Sequence, residues 1–295
     1  MKRNTVHRQD NAGYLMIAPF YLIFIFISII PIFVSIALSF TNYDLYQKRD
    51  FIGLANYIYM FTVDDNFFIS LRNTIVYTLL TVFPVMSLGL VFAVVLNQKI
   101  PGLKVFRSVL FLPRVLSMVT AAMIWLWMYD PTQAGILNRI MHILGLKSQP
   151  WLGHPTQAMA ALIIMSIWKD LGYTMIIYLA GLQLIPGYLY EVATIEGAGP
   201  VRQFFSVTIP LLKPTTFFIF VTSIIRSFNV FEQVMLLTEG GPLRATTTLV
   251  HQIYKRAFDN FRMGYASSLS VIVLIVLCVI TLINFRYSRG ADIEL

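Results

Sequence analysis

Six stretches of this chain are long and apolar enough to cross a bilayer, at roughly 14–38, 72–96, 106–129, 158–182, 215–237 and 265–287. A spanning helix needs about 20 mostly apolar residues, and it must satisfy its own backbone N–H and C=O groups because the hydrocarbon offers no water. The sequence therefore predicts an all-α polytopic membrane protein with six transmembrane helices, forming one transmembrane domain over 1–295. Composition agrees: 57% of the 295 residues are hydrophobic and 12% are charged, about half the charged share of a soluble domain.

A formal net charge of +8 would suggest a nucleic-acid partner in a soluble protein. Here Lys and Arg gather between apolar runs, where they set topology and meet anionic headgroups, and no nucleic acid is expected as a partner. Lys and Arg nearly tie between the two sides of the membrane. Lys2, Arg3 and Arg8, with Lys99, Lys104 and Arg107 of the shortest link, break the tie and predict both termini in the cytoplasm. The first apolar run is too long for a signal-peptide core and reads as a retained span.

Catalytic and metal chemistry find no support. Cys278 is the single cysteine, and His7, His142, His154 and His251 are far apart, so no metal centre is expected. No G-x-x-x-x-G-K-[ST] stretch occurs, so the chain has no P-loop of its own. No catalytic residue is expected either.

The segment 187–213, between the fourth and fifth apolar runs, is the most distinctive polar stretch. Residues 188–196 favour a short helix, Gly197 to Pro200 break it, Pro200 opens a second, and Pro210 with Pro214 end that one. Two short helices on a tight turn suit docking into a groove; an ordinary connector has the same composition.

The order of residues here resembles the EAA loop of ABC importer permeases: Glu-Ala-Ala, three residues, Gly, about nine residues, then Ile-x-Leu-Pro. Glu191, Ala193, Gly197, Val207, Ile209 and Pro210 take the matching places, while Val192 replaces the first Ala and Glu196 stands where an Asp often precedes Gly-Ala. Other motifs follow in order and resemble the carbohydrate-uptake branch. These are Phe51-Ile52-Gly53-Leu54-Ala55-Asn56-Tyr57, Asn73-Thr74, Phe111-Leu112-Pro113, Gly135-Ile136-Leu137-Asn138, Trp151-Leu152 and Leu237-Thr238-Glu239-Gly240-Gly241-Pro242.

The resemblance implies a permease subunit of an ATP-driven, solute-binding-protein-dependent sugar importer in a prokaryotic inner membrane. It implies four partners: a second related permease, an ATPase dimer that binds ATP and Mg, an extracytoplasmic solute-binding protein, and a sugar, an oligosaccharide by class. Glu191, Ala193, Gly197, Ala198 and Pro210 would then serve ATPase coupling.

Charges at membrane depth are costly and usually face a cavity or a partner. Lys169, Asp170 and Tyr173 share one helical face with Ser166, and Ser223, Arg226 and Ser227 share another with Val230. In related sugar permeases these positions lie near the midplane and line the substrate site. Two readings stand: a hydroxyl-recognising, partly charged passage, and a structural ion pair such as Arg226 with Asp170. Two rival classes are weaker. A secondary transporter is expected to show inverted repeats, and a membrane enzyme needs acidic or His clusters; Asp64-Asp65, the one adjacent acidic pair, suits a solvated loop.

Overall fold

The computed structural model describes residues 14, 16–44, 46, 49–98 and 102–288. Lys2, Arg3, Arg8 and Lys99, which entered the topology argument, lie outside the described residues. In chain order the helices are α1 (Met16–Leu38), α2 (Ala55–Thr62), α3 (Asp65–Leu96), α4 (Leu103–Val115), α5 (Met118–Met128), α6 (Ile136–Ile143), α7 (Pro155–Gln183), α8 (Gly187–Ile195), α9 (Pro200–Leu211), α10 (Lys213–Phe228), α11 (Glu232–Leu237), α12 (Leu249–Tyr254) and α13 (Met263–Ser288). Among the described residues the only extended pairing is an isolated bridge between Thr41 and Phe51.

Four helices, α1, α3, α7 and α13, are long and apolar enough to cross a membrane. Two bent pairs, α4–α5 and α9–α10, meet the same test jointly, with bends of 101° and 64°. The stretch 106–129, expected as one span, is thus broken. Leu116 and Ser117 adopt extended backbone, and the Ser117 hydroxyl accepts the Thr120 N–H at 3.1 Å to start α5. The stretch 215–237 is broken as well, at Asn229–Phe231, where α10 ends and α11 begins. A carbonyl freed there finds a partner, Thr248 Oγ1 donating to Val230 O at 3.0 Å, and the Asn229 amide adds a bond to Ile225 O at 2.8 Å.

Proline accounts for two wide turns. In α1 a π turn covers Ile25–Ile29 and Pro31 follows; in α9 a π turn covers Phe204–Thr208 and Pro210 follows. The ring lacks an N–H and presses on the preceding turn, so the residue before it bonds one position further back: Ile30 N–H to Ile25 O, and Ile209 N–H to Phe204 O. Pro210 and Pro214 were expected to end this helix: it bulges ahead of Pro210, runs to Leu211, and the bend falls at Leu212, between the two prolines.

The described residues form two compact units, one within 1–64 and 253–274, the other within 65–252 and 275–288. In the first, none of the described residues of α1 is fully buried, apart from its flanking Ser39. Asn56 donates to the carbonyls of Ser39 and Thr41 at 2.9 Å each, and the Tyr57 hydroxyl donates to Ser39 Oγ at 2.8 Å, which fixes α2 against the end of α1. Asp64 is buried and accepts from Arg256 Nη2 at 3.0 Å and from the Tyr265 hydroxyl at 2.6 Å.

The second unit is built around α7, which packs on α3, α4 and α10. Close approach sets the glycines: a Cβ on Gly172 would collide with the Leu110 carbonyl of α4, and one on Gly89 would stand 2.7 Å from a Thr174 methyl. Without a hydrophobic drive between helices inside lipid, small residues that bring backbones together supply much of the packing. At one end of α7, Asn138 is fully buried and ties the 130–151 loop. Its amide donates to Asp130 O and Gln149 O, and its oxygen accepts from Gln149 N and Trp151 Nε1, all at 2.8–3.1 Å. Beside it the Asp130 carboxylate accepts the Thr132 hydroxyl and N–H, which hold its pKa below the usual carboxylate value.

Candidate functional site: a charged cleft and a helical elbow

Lys169 and Asp170 stand halfway along the 29-residue helix α7, and both line a cleft of about 330 Å³ within the second unit. The break between α4 and α5 leaves carbonyls without helical donors. Lys169 Nζ fills that gap, donating to Leu116 O at 2.7 Å and to Pro113 O at 3.3 Å. One charge at membrane depth thus supports one helix break.

Asp170 draws two guanidiniums to a single oxygen. Arg114 Nη1 of α4 reaches Asp170 Oδ1 at 2.7 Å, and Arg226 Nη1 of α10 reaches the same oxygen at 3.0 Å. One turn along α7, the Tyr173 ring lies under both, 4.9 Å from the Arg114 guanidinium carbon and 4.8 Å from that of Arg226. Tyr77 of α3 closes another wall, donating to Ser166 Oγ at 2.7 Å. Ser227, Asn229, Phe231, Glu232 and Gln233 also line it, at the α10–α11 break. Charged groups, amides and aromatic faces therefore meet in one open cleft.

The second feature is the elbow formed by α8 and α9. Its turn satisfies the last carbonyls of α8 in the Schellman pattern: Ala198 N–H donates to Ala193 O at 2.8 Å, and Gly197 N–H donates to Thr194 O at 3.0 Å. That pattern requires a left-handed residue, and Gly197 has φ +78° with nothing within 4 Å of where a Cβ would stand. Gln203 Nε2 bonds Ala198 O and Thr194 Oγ1, both at 2.9 Å, and the Tyr190 and Thr208 hydroxyls meet at 3.0 Å, so the two arms are pinned. Glu191 is exposed, as are Tyr188, Val192, Ile195, Val201 and Phe205. Between the arms, Val192, Ala193, Glu196, Ala198, Arg202 and Val207 line a groove of about 320 Å³.

Residues 86–289 match the family described as the binding-protein-dependent transport system inner membrane component. The chain belongs to that family. The permease is 36% identical to the probable ABC transporter permease protein YesP of Bacillus subtilis over 98% of this chain and 94% of that one. It is 34% identical to the arabinooligosaccharides transport system permease protein AraP of Halalkalibacterium halodurans, over 96% of this chain and 89% of that one. A chain in the crystal structure of a bacterial alginate ABC transporter, in complex with an alginate pentasaccharide-bound periplasmic protein, superposes with a TM-score of 0.86. That match covers 98% of both chains at 23% identity, which establishes a shared fold. The permease is accordingly an inner-membrane component of helical, polytopic build, and its relatives are transporter subunits, not enzymes.

Of the residues singled out by sequence, Lys169, Asp170, Arg226 and Ser227 line the cleft of the permease, and Tyr173 underlies its guanidiniums. Ser223 is half-buried on α10 and is not among the lining residues. Both readings of the charges meet in this geometry: the Arg226–Asp170 pair is present, and it stands on the wall of a cleft. Arg114 was missed. It lies inside the apolar run 106–129, so the rule applied to the neighbouring spans would have found it. Tyr77 carried no such signal, because a tyrosine in an apolar run is ordinary.

Proposed function

We propose that this permease forms half of the translocation path of an ATP-driven importer of sugars, oligosaccharides by class, and that the α8–α9 elbow couples it to an ATPase subunit. The elbow carries this reading. It is a pinned, two-armed projection with a glycine at the turn, exposed apolar side chains along its arms and an exposed carboxylate at Glu191.

In this account the elbow, 187–213, docks in a cleft on the cytoplasmic ATPase, and closure of the ATPase dimer moves it as a rigid lever. Glu191 pairs with a basic group there, Ala193 and Ala198 keep the turn slim, and Pro210 with its π turn stiffens the arm that leads to α10. ATP and Mg belong to the ATPase. The six apolar stretches act as six spans, the broken stretches 106–129 and 215–237 each counting once, in a single transmembrane domain with both termini in the cytoplasm. A second, related permease supplies the other half of the path, and an extracytoplasmic solute-binding protein delivers the sugar. Lys169, Asp170, Tyr173, Ser223, Arg226 and Ser227 belong to the substrate path, to which Arg114 is added. The names of relatives such as AraP, and of the alginate transporter that shares the fold, support a carbohydrate substrate.

Affinity purification of the tagged permease from its native membrane tests the assembly. A second permease of similar size and an ATPase subunit should copurify in stoichiometric amounts. Recovery of the permease alone, under mild detergents that preserve other membrane complexes, would contradict it.

A further inference from the structure

The α4–α7–α10 cleft holds more positive charge than a structural ion pair needs. Asp170 neutralises one guanidinium, yet two reach it, both through Nη1 and both to Oδ1. A guanidinium offers five N–H donors in a planar fork. Neither Arg114 nor Arg226 makes another hydrogen bond among the described residues, so their remaining edges are free and about a third exposed. Lys169 adds a third cation, its donors turned to the neutral carbonyls of Pro113 and Leu116. Glu232 is the second carboxylate on the lining; it forms no ion pair among the described residues. Three cations therefore face two carboxylates. A second arginine at membrane depth is costly unless something pairs with it, and planar forks suit carboxylate and phosphate oxygens better than neutral hydroxyls.

We propose that this cleft selects sugars carrying an anionic group, a carboxylate or a phosphate, clamped by the edges of Arg114 and Arg226 that Asp170 leaves free. The proposal rests on the reading of the cleft as part of a sugar path and names the substrate class. Tyr173 holds both guanidiniums in register from beneath, while Asn229, Glu232 and Gln233 meet ring hydroxyls. The anion brings the lining close to neutrality.

The test uses the complete complex, with partner permease, ATPase and binding protein, in proteoliposomes. Three probes are compared: a uronate-containing oligosaccharide, the same oligosaccharide with its carboxylates reduced to alcohols, and a sugar phosphate. Each variant is read as its ratio of anionic to neutral uptake. Any selectivity of the binding protein cancels between variants measured with the same binding protein. The wild-type complex should prefer an anionic probe, uronate or phosphate identifying which group is read. Arg226→Gln and Arg114→Gln should each lower the ratio by about tenfold or more, the weight of one charge-assisted hydrogen bond. Arg226→Lys should retain most of the preference, and Asp170→Asn, which frees both forks, should raise it. If the glutamine variants do not assemble, Asp170→Asn decides alone, and an unchanged ratio overturns the proposal. Wild-type uptake of the neutral probe in preference to both anionic ones also overturns it, while leaving the importer reading intact. Absence of ATP-driven uptake of any sugar by the wild type would sink both.

Discussion

Lys169 Nζ donates a 2.7 Å hydrogen bond to the carbonyl oxygen of Leu116, the residue at which α4 gives way to α5. A lysine in the middle of a membrane helix looks like a transport residue in the sequence. In three dimensions its first task is local, because it supplies the donor that the broken helix lacks. Arg114, in the last turn of α4 just before the break, reaches Asp170.

Lys169→Met should therefore act first on stability. Two carbonyls lose their donor in a buried setting, at about 1–3 kcal/mol for each group left unsatisfied. The purified complex should melt several degrees lower, and Lys169→Arg should recover part of the loss. An unchanged melting temperature for the methionine variant would remove the supporting role.

Asn138→Ala should loosen the loop between α5 and α7. The side chain makes four hydrogen bonds while fully buried, and its loss orphans Gln149 N–H and Trp151 Nε1–H together with two carbonyls. Hydrogen exchange at Gln149 should accelerate by at least about tenfold, in line with a local cost of 1–3 kcal/mol. Exchange at the wild-type rate would contradict the assignment.

Asp64→Ala should be severe in the first unit. Asp64 is buried, Arg256 is nearly so, and removal of the carboxylate strands a guanidinium at a cost of about 3–5 kcal/mol. Protection of the amides in α2 and in 253–265 should fall together, as read by hydrogen exchange. Loss in only one of the two segments would show that the pair does not join them.

Much of the build was legible in the sequence because bilayer thickness imposes a length on apolar runs, and every predicted run carries helix. What run length cannot reveal is a break whose freed groups are satisfied from elsewhere. The bend at Leu116 depends on Lys169, 53 residues away, and the one at Asn229–Phe231 depends on Thr248, 18 residues away. No local pattern announces such partners. The two short helices around Gly197 were readable because glycine at a left-handed turn and proline at a helix start are local requirements.

Motif order located residues whose roles the order alone did not disclose. Asn56, Asn73 and Asn138 all prove to be side-chain amides that hold two backbone carbonyls each. They fasten loops, which explains an asparagine at each place without any contact to substrate. The cleft was half-visible. Asp170 and Arg226 stood out as charges in apolar runs, whereas their meeting with Arg114 on one carboxylate oxygen depends on how α4 and α10 pack against α7.

The most direct test of the coupling account is ATP-driven sugar uptake by the complete complex reconstituted with Gly197→Asp. The Cβ position at Gly197 is open within this chain, while its φ of +78° strains any side chain at the turn, so the variant perturbs the elbow and leaves the helix packing of the permease untouched. The account predicts a complex that still assembles in the membrane but takes up no sugar on addition of ATP. Uptake at the wild-type rate would contradict it.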